Sequence, residues 1–428
     1  MSEPHHDLTT GSPLVTTKTV AVIGLGYIGL PTAAILASNG VKVIGVDVSD
    51  KHVDAVNRGE VPFVEPDLAT HVAGAVSQGM LSAQKETPQA NTYIVAVPTP
   101  FKDGHEADLS YIEAATDAII PQLRGGELII LESTSPPGAT EHMARRVLDA
   151  RPDLSLDGSS ERPVVHFAHC PERVLPGRVM IELVTNDRII GGLTPEAAQR
   201  ARDLYQVFCH AELHLTDAAT AEMAKLTENS YRDVNIAFAN ELSIIADKIG
   251  IDVFELIELS NKHPRVNILQ PGPGVGGHCI AVDPWFIVSA VPEEARLIRT
   301  AREVNDHKPE VVLAKVKDRA DRFKDPVIAA MGLAFKPDID DLRESPALEI
   351  TRQLCQRHPA ARVLAIEPNI DELPEALAGL PNVELAETRA GIAAADIIVL
   401  LVDHREFRHI DRRLLAEKAV IDTRGLWR

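Results

Sequence analysis

The chain has 428 residues, of which 45% are hydrophobic and 25% charged, a composition typical of a globular protein with two or three domains. Asp and Glu outnumber Lys and Arg by 62 to 43, which gives a formal net charge of −19. An acidic surface of this size argues against nucleic acid or an anionic membrane as the main partner. The four cysteines show no paired metal-ligand spacing, and no run approaches the length of a membrane-spanning helix. We therefore expect a cytoplasmic protein with reduced thiols, no metal site and no membrane span.

The first 17 residues are polar and lack an apolar core, so they predict a disordered tail rather than a signal peptide. From Thr19 onward, short apolar runs alternate with segments of helical character. Strands are predicted at 19–23, 41–47, 92–97 and 128–132, and a helix at 31–39. Continuous apolar strands separated by helices are typical of a parallel sheet covered on both faces. We place this first α/β domain at residues 18–210.

The pattern changes after residue 210. Residues 218–250 contain no proline, and their apolar residues recur at helical spacing from Met223 to Ile245. Such a long striped helix is stable only against a partner, which is another part of the chain or a second subunit. A second helix is predicted at 253–259. These features define a central helical domain at residues 211–320.

The last region again has the α/β pattern. Apolar runs at 327–331, 361–366, 396–402 and 419–422 read as buried strands with helical segments between them. They predict a second, smaller doubly wound domain at 321–428. The predicted fold class is therefore α/β, with two doubly wound Rossmann-like domains joined by a central helical domain.

A dinucleotide fingerprint lies near the start of the first domain. Gly24, Gly26 and Gly29 form a GxGxxG motif that follows a strand and opens a helix, and Asp47 ends the next strand, 18 residues after Gly29. The glycines let a pyrophosphate approach the backbone at the helix N-terminus, while the carboxylate accepts from both ribose hydroxyls. The alternative is a tight turn of the same shape without a ligand. Because Asp47 would repel a 2′-phosphate, the motif favours NAD over NADP.

The most informative stretch is 276–283, in which Cys279 lies in a glycine-rich turn four residues before Asp283. A free cysteine is most often a small buried hydrophobic residue. Glycines, however, let backbone N–H groups crowd a reacting carbonyl, and a carboxylate four residues on can activate water. Beside a nicotinamide cofactor, a thiolate can hold an aldehyde as a thiohemiacetal that is oxidised again and hydrolysed. The pairing predicts an enzyme that converts an alcohol to an acid.

Three further polar sets are candidates for the site. Lys225 and Asn229 share one face of the long helix, with Arg232 further along, where they form either a solvated stripe or an oxyanion-stabilising and proton-shuttling pair. Glu172 and Arg173 lie in a short proline-bounded loop, as binding residues often do. Lys336 and Arg343 form the last set, at the edge where open α/β sheets bind ligands. Their positive charges suit a diphosphate, and a surface ion pair is the alternative.

Taken together, these motifs resemble the UDP-glucose/GDP-mannose dehydrogenase family of NAD-dependent four-electron sugar-nucleotide oxidoreductases, and the resemblance covers nearly the whole chain. Residues 263–274 and 276–285 are very similar to the branch that acts on UDP-N-acetyl-D-mannosamine. Val282 stands where the UDP-glucose branch usually has lysine, and His278 precedes the cysteine, which favours a UDP-N-acetylhexosamine substrate. The resemblance implies oxidation at C6 to the uronate, with two NAD reduced per turnover. The product would serve bacterial surface polysaccharides such as enterobacterial common antigen.

The resemblance also implies domain roles: the third domain would bind the UDP-sugar, and the central domain would carry the catalytic cysteine and form a homodimer or higher oligomer. Cys279 would be the nucleophile, Lys225 and Asn229 would manage protons or an oxyanion, and Asp283 and Glu172 would act in thioester hydrolysis. Cofactor contacts would come from Gly24, Gly26, Tyr27, Ile28, Gly29, Asp47, Thr99, Thr134 and Arg343. Substrate contacts would come from Arg173, Val174, Lys225, Asn229, Arg232, His263, Arg265, Gly276, Phe335 and Lys336.

Two other functions stay open at this stage. A UDP-N-acetylglucosamine or UDP-glucose 6-dehydrogenase would carry nearly the same motifs, because epimers differ in the orientation of one hydroxyl. A non-catalytic sugar-nucleotide-binding protein with structural NAD is the alternative from a different class. The combination of Cys279, Lys225, Asn229 and Asp283 argues against it, since binding alone needs no thiol.

Overall fold

The structure is a computed structural model that describes residues 19–428 except 64, 176 and 278, so the predicted tail and His278 lie outside the described residues. The described chain forms two compact units, the first ending at Lys225 and the second beginning at Leu226. The boundary falls inside one long helix, α8 (Ala218–Ile249), which belongs in part to each unit.

The first unit is built on an eight-stranded sheet in the order β3-β2-β1-β4-β5-β6-β7-β8. All neighbouring strands pair in parallel except β6 and β7, which are antiparallel. The strands are β1 (Thr19–Ile23), β2 (Lys42–Val46), β3 (Leu81–Gln84), β4 (Thr92–Val95), β5 (Leu128–Leu131), β6 (His166–His169), β7 (Arg188–Gly192) and β8 (Leu213–Asp217).

Helices cover both faces of this sheet, and two separate hydrophobic clusters fill the space beneath them. The order of the strands reverses at β1, which pairs with β2 on one side and β4 on the other. A ligand binds to an open α/β sheet in the crevice at such a switch point. The helices are α1 (Gly29–Ser38), α2 (Asp50–Asn57), α3 (Leu68–Ser77), α4 (Ser110–Ile119), α5 (Ala139–Ala150), α6 (Val179–Thr185) and α7 (Pro195–Tyr205).

The second unit starts with helices and ends with a five-stranded parallel sheet in the order β11-β10-β9-β12-β13. Its strands are β9 (Val327–Met331), β10 (Arg362–Ile366), β11 (Val383–Leu385), β12 (Ile397–Leu400) and β13 (Ala419–Asp422). Besides the rest of α8, its helices are α9 (Val253–Ser260), α10 (Asp283–Ala290), α11 (Arg296–Ala320), α12 (Pro346–Arg357), α13 (Glu375–Ala378) and α14 (Thr388–Ala394).

The predicted fold class is confirmed, because in chain order a doubly wound, mostly parallel sheet is followed by a helical region and then by a second doubly wound sheet. The predicted long helix is α8, and the apolar runs of the last domain all form strands. Four strands of the first sheet, β3, β6, β7 and β8, escaped prediction because polar residues interrupt them, as in Leu81–Gln84 (LSAQ) and Leu213–Asp217 (LHLTD). The first sheet thus continues beyond residue 210, and the three domain limits stay predictions.

Candidate active site

The glycine loop after β1 has the shape of a pyrophosphate cradle. Gly24 has φ +94°, and a Cβ on it would lie 2.4 Å from the carbonyl oxygen of Ala96. A Cβ on Gly29 would lie 1.9 Å from the carbonyl oxygen of Gly24, so the loop folds back on its own helix. A Cβ on Gly26 would meet nothing within 4 Å, which leaves the outer side of the loop open. The loop therefore fits a dinucleotide phosphate at the N-terminus of α1.

Asp47 follows β2 and is fixed by backbone donors. Its Oδ2 accepts the N–H of Leu25 from the glycine loop at 2.8 Å, and its Oδ1 accepts the N–H of Ser49 at 2.9 Å. The ring of His52 lies 3.3 Å from Oδ2. A carboxylate has about four acceptor positions, so these contacts orient it and leave capacity for a ribose hydroxyl. The residues present fit NAD, which would place its adenosine ribose at this carboxylate.

We expect Asp47→Ala to weaken NAD binding by about tenfold or more, because it removes a ribose acceptor and the support of the glycine loop. The dissociation constant of NAD, measured by calorimetry, checks this result. Asp50→Ala is the matched control, because this carboxylate lies only three residues after Asp47, is exposed and pairs with Lys85. Equal NAD affinity in the two variants would remove Asp47 from the ribose site.

The other predicted cofactor residues of the first unit surround the same edge of the sheet. Thr99 and Thr134 follow β4 and β5, and the hydroxyl of Thr99 donates to the carbonyl of Thr134 at 2.5 Å. Tyr27 is partly exposed, and its ring stacks 4.2 Å from that of Phe63. Ile28 is the residue immediately before α1. The structure thus groups these residues at the carboxyl end of the parallel strands, the ligand-binding edge of such sheets.

The start of α8 is tied to this region by Glu222, which is buried. Its carboxylate accepts the N–H of Gly138 at 2.6 Å and both the N–H and the hydroxyl of Thr140 at 2.8 and 2.6 Å. These groups form the N-terminus of α5, where a negative charge is stabilised by the helix dipole. Lys225 lies one turn further along α8, half-buried. Glu222 therefore fixes the part of α8 that presents Lys225.

Asn229 lies one turn after Lys225 and belongs to the second unit, as does its partner Asp283. Its amide Nδ2 donates to Asp283 Oδ2 at 2.5 Å, and both side chains are buried. Asp283 is the first residue of α10, and its N–H donates to the carbonyl of Cys279 at 2.8 Å. This bond closes a turn that leaves Cys279 exposed. The structure therefore brings Asn229, Asp283 and the Cys279 turn together.

Glu172 lies outside any helix or strand, as the predicted loop requires, and its side chain forms a buried ion pair. Its Oε2 accepts from Arg188 Nη2 at 2.9 Å, and the two side chains are 6% and 4% exposed. Its Oε1 accepts the N–H of Arg173 at 2.7 Å. The guanidinium of Arg188 also lies over the ring of Tyr205, 4.8 Å from its centroid. These two donors consequently hold the carboxyl group of Glu172 in one orientation.

A second buried carboxyl, that of Glu132, faces the same guanidinium region. Tyr205 and Thr32 each donate a hydroxyl hydrogen bond of 3.1 Å to it. Burial, reinforced by the negative charge of Glu172, raises the pKa of Glu132 to about 8, although Arg188 opposes the shift. Near neutral pH, Glu132 is therefore mostly protonated.

This raised pKa predicts a pH dependence of folding. Folding favours the protonated carboxyl, so its contribution is complete below the usual value of 4.5 and is lost as pH rises toward about 8. Glu132→Gln keeps a neutral group of the same shape. We expect urea unfolding between pH 6 and 9 to show a steeper loss of stability for the wild type than for the variant. Parallel pH profiles of the two proteins would contradict the prediction.

In the second unit, the turn before Cys279 packs on the predicted sugar-nucleotide residues. A Cβ on Gly276 would lie 2.4 Å from the carbonyl oxygen of Glu344, so only glycine fits there. A Cβ on Gly277 would lie 3.5 Å from the ring of Phe335. Lys336 is exposed, with its ammonium 5.1 Å from the centroid of that ring. Gly276, Phe335 and Lys336 thus lie near one another beside the cysteine turn.

The remaining predicted residues are more dispersed. Arg173 donates to the carbonyl of Asp187 at 3.0 Å, and Val174 packs against the core of the first unit. His263 and Arg265 are exposed in the segment after α9, where the N–H of Arg265 donates to His263 Nδ1 at 3.3 Å. Two arginines complete the set: Arg232 is exposed on α8, and Arg343 pairs with Asp341 at 2.7 Å.

Several residues that shape the site were missed by sequence reasoning. Arg188, Glu132 and Glu222 are charged residues within or directly beside apolar segments, and such an isolated buried charge is a usable signal. Asn240 of α8 is also buried, and its side-chain oxygen accepts the N–H of Gly272 in the approach to the cysteine turn at 2.9 Å. Nothing in its sequence context distinguishes Asn240 from a solvated polar residue.

Within the described part of the chain, every helix is too short or too polar to cross a membrane. Models of the UDP-glucose/GDP-mannose dehydrogenase family match the chain in three consecutive parts. They are its NAD binding domain at residues 18–209, its central domain at 219–307 and its UDP binding domain at 329–428.

Individual relatives match over almost the full length. The NDP-N-acetyl-D-galactosaminuronic acid dehydrogenase of Ralstonia nicotianae is 59% identical over 411 residues, which is 96% of each chain. The UDP-N-acetyl-D-mannosamine dehydrogenase of Escherichia coli K12 is 55% identical over 422 residues, covering 96% of this chain and 99% of that one. A structure of the UDP-N-acetyl-mannosamine dehydrogenase Cap5O from Staphylococcus aureus superposes with a TM-score of 0.82 at 39% identity, covering 95% of each chain. The chain is a member of the UDP-glucose/GDP-mannose dehydrogenase family and an NAD-dependent enzyme.

Proposed function

We propose that this enzyme oxidises the C6 hydroxyl of UDP-N-acetyl-D-mannosamine to the uronate, using two NAD per turnover. The observation that carries the proposal is the exposed Cys279 in a glycine turn that Asp283 closes, with Asp283 hydrogen-bonded to Asn229. A hydride-transfer enzyme that stopped at the aldehyde would need no such thiol. The E. coli and S. aureus relatives support the sugar by their names.

A second candidate sugar nucleotide is an N-acetyl-D-galactosamine derivative. The relatives from Ralstonia, at 59% and 57% identity, carry the name NDP-N-acetyl-D-galactosaminuronic acid dehydrogenase. Both candidates are N-acetylhexosamines oxidised to uronates, so the reaction and the residues that perform it are the same for either. The difference lies in the orientation of hydroxyl and acetamido groups on the ring.

NAD, when bound at the glycine loop, supplies the hydride acceptor in both oxidations. The thiolate of Cys279 adds to the C6 aldehyde, so that the C–S bond retains the intermediate as a thiohemiacetal between the oxidations. Lys225 and Asn229 offer an ammonium and an amide for the oxyanion that forms. After the second oxidation, Asp283 takes a proton from the water that attacks the thioester carbon. The C–S bond breaks, which releases the uronate and restores the Cys279 thiolate.

The held anion of Glu172 suits electrostatic control better than proton transfer. Because Arg188 keeps its carboxylate paired and buried, protonation of Glu172 would break the ion pair. We infer that Glu172 acts through its negative charge, while Asp283 takes the proton of the hydrolytic water.

We also propose that the enzyme is a homodimer formed through α8. Tyr231, Phe238 and Ile245 recur every seven residues along this helix, and they are 70%, 51% and 48% exposed in the single chain. An apolar stripe of this spacing is stabilised by a second helix.

The domain limits 18–210, 211–320 and 321–428 are part of the proposal, supported by the three family-model ranges. A cytoplasmic location would keep Cys279 reduced.

The stoichiometry of NADH tests the function directly. The enzyme would be assayed with UDP-N-acetyl-D-mannosamine, UDP-N-acetylglucosamine, UDP-N-acetylgalactosamine and UDP-glucose, counting NADH per sugar nucleotide consumed. Two NADH, with the highest kcat/KM for UDP-N-acetyl-D-mannosamine, is the expected result. One NADH would indicate a simple alcohol dehydrogenase, and none a binding protein. A preference for the galactosamine substrate would select the second candidate.

A further inference from the structure

A buried acid–imidazole pair lies behind the loop that carries Phe335 and Lys336. His404 Nε2 is 2.8 Å from Glu367 Oε2, and the two side chains are 1% and 0% exposed. Glu367 follows β10, and His404 lies in the segment after β12, so both come from the carboxyl edge of the second sheet. Asn369 completes the cluster, because its amide donates to Glu367 Oε1 at 2.8 Å. The roles proposed for the catalytic residues use neither Glu367 nor His404.

The pair holds the loop of residues 332–338 at both ends. At the start, Glu367 Oε2 accepts the N–H groups of Leu333 and Ala334 at 2.8 and 3.1 Å. At the end, His404 Nδ1 accepts the N–H of Asp338 at 2.9 Å. Because Nδ1 accepts, Nε2 carries the ring proton and donates it to Glu367. One connected network therefore binds three backbone N–H groups of the loop.

The loop conformation depends on such support. Asp338 has φ +62°, a left-handed conformation that is unfavourable for a residue with a side chain. Its carboxylate accepts the N–H of Arg405, the neighbour of His404, at 2.8 Å. Between the two held ends, Phe335 projects against Gly277 in the turn before Cys279, and Lys336 follows it. The network thus fixes the backbone that presents these two side chains.

We propose that Glu367 and His404 are positioning residues that hold the loop of residues 332–338 ready to bind the diphosphate of the sugar nucleotide. This inference rests on the proposed function in that Phe335 and Lys336 are taken as substrate contacts. The acid–imidazole pair acts only through the loop, and neither Glu367 nor His404 needs to touch the substrate. A loop held in place before binding loses less conformational entropy when the ligand binds, and this raises affinity.

Two substitutions at His404 separate its two hydrogen bonds. In His404→Asn, the side-chain oxygen can still accept the Asp338 N–H, whereas in His404→Gln, the amide can still donate to Glu367 but the δ acceptor is lost. We expect His404→Gln to weaken UDP binding by about tenfold, the cost of a lost buried hydrogen bond, and His404→Asn by no more than about threefold. The KM for the sugar nucleotide should follow the same order, while the KM for NAD and kcat stay near wild type.

Asn382→Ala is the control for general loss of stability. The Asn382 amide donates to the carbonyls of Cys355, His358 and Ala361 in the same unit, away from the 332–338 loop. It should lower the thermal midpoint without changing the dissociation constant of UDP. Equal UDP affinities for His404→Gln and His404→Asn, or an equal loss in Asn382→Ala, would overturn the proposal.

Hydrogen exchange in the wild-type enzyme tests the idea even if the variants do not fold. The amides of Leu333, Ala334 and Asp338 should already be protected without UDP; rapid exchange there would show that the loop is not held in advance. Lys336→Ala distinguishes this inference from the proposed function. If Lys336→Ala left UDP affinity unchanged, the assignment of the loop to the substrate would be wrong. The exchange data would still report separately whether Glu367 and His404 hold the loop.

Discussion

Replacing Cys279 by alanine should abolish formation of the uronate, lowering its rate by about a thousandfold or more. Without the thiolate, no C–S bond can form, so the aldehyde cannot be retained and converted to a thioester. Binding of NAD and UDP should persist, because the substitution keeps the backbone bond from the Asp283 N–H to the carbonyl of residue 279 that closes the turn. Chromatographic measurement of the uronate, together with NADH released per sugar nucleotide, provides the readout.

The matched control removes a different thiol. Cys209 is buried in the first unit, where its thiol donates to the carbonyl of Asn186 at 3.5 Å, and serine can make the same hydrogen bond. Cys209→Ser should keep the NADH stoichiometry at two. Uronate production by Cys279→Ala at the wild-type rate would exclude the covalent mechanism, while loss of UDP binding in that variant would make its inactivity uninformative about chemistry.

Along the long helix α8, residues of each unit contact distant parts of the sequence within their own unit. Glu222 bonds to the N-terminus of α5, Asn229 to Asp283, and Asn240 to Gly272. Asp233 forms a buried ion pair with Arg302 of α11 at 2.6 Å. Within the first unit the Glu222 contacts fix the part of α8 that carries Lys225, and within the second unit the other contacts fix the part that carries Asn229. Glu222, Asp233 and Asn240 can therefore support the candidate catalytic residues without contacting the substrate themselves.

The sequence alone predicted the features that local patterns encode. The GxGxxG motif, Asp47 and the shared face of Lys225 and Asn229 follow from spacing along single strands and helices. The environment of Glu172 could not be predicted this way, because its partner Arg188 lies on β7, 16 residues further along the chain, and the burial of both depends on tertiary packing. The same is true of His404 and Glu367, which only the order β10-β9-β12 brings together. Local periodicity indicates which face of a helix or strand is polar, but not which side chain of another element contacts that face.

The largest expected effect on stability comes from Arg188→Met. Removing the guanidinium leaves Glu172 as a buried, unpaired anion close to Glu132, and breaking a buried ion pair in this way costs about 3–5 kcal/mol. Equilibrium unfolding in urea at pH 7 gives the change in the free energy of unfolding. Arg200→Met is the control, because that partly exposed arginine donates to a backbone carbonyl, that of Gly126, at 2.7 Å.

Adding Glu172→Gln to Arg188→Met separates the ion pair from simple packing. If the destabilisation arises from an uncompensated charge, the double variant should recover a large part of the lost free energy, because an amide is far cheaper to bury than a carboxylate. If it arises from the space that Arg188 fills against the rings of Tyr205 and Phe208, the second substitution should restore nothing. Activity should not return in the double variant, because the anion that Arg188 holds in place is then absent. Recovery of full activity would therefore remove Glu172 from the catalytic machinery while leaving its structural role intact.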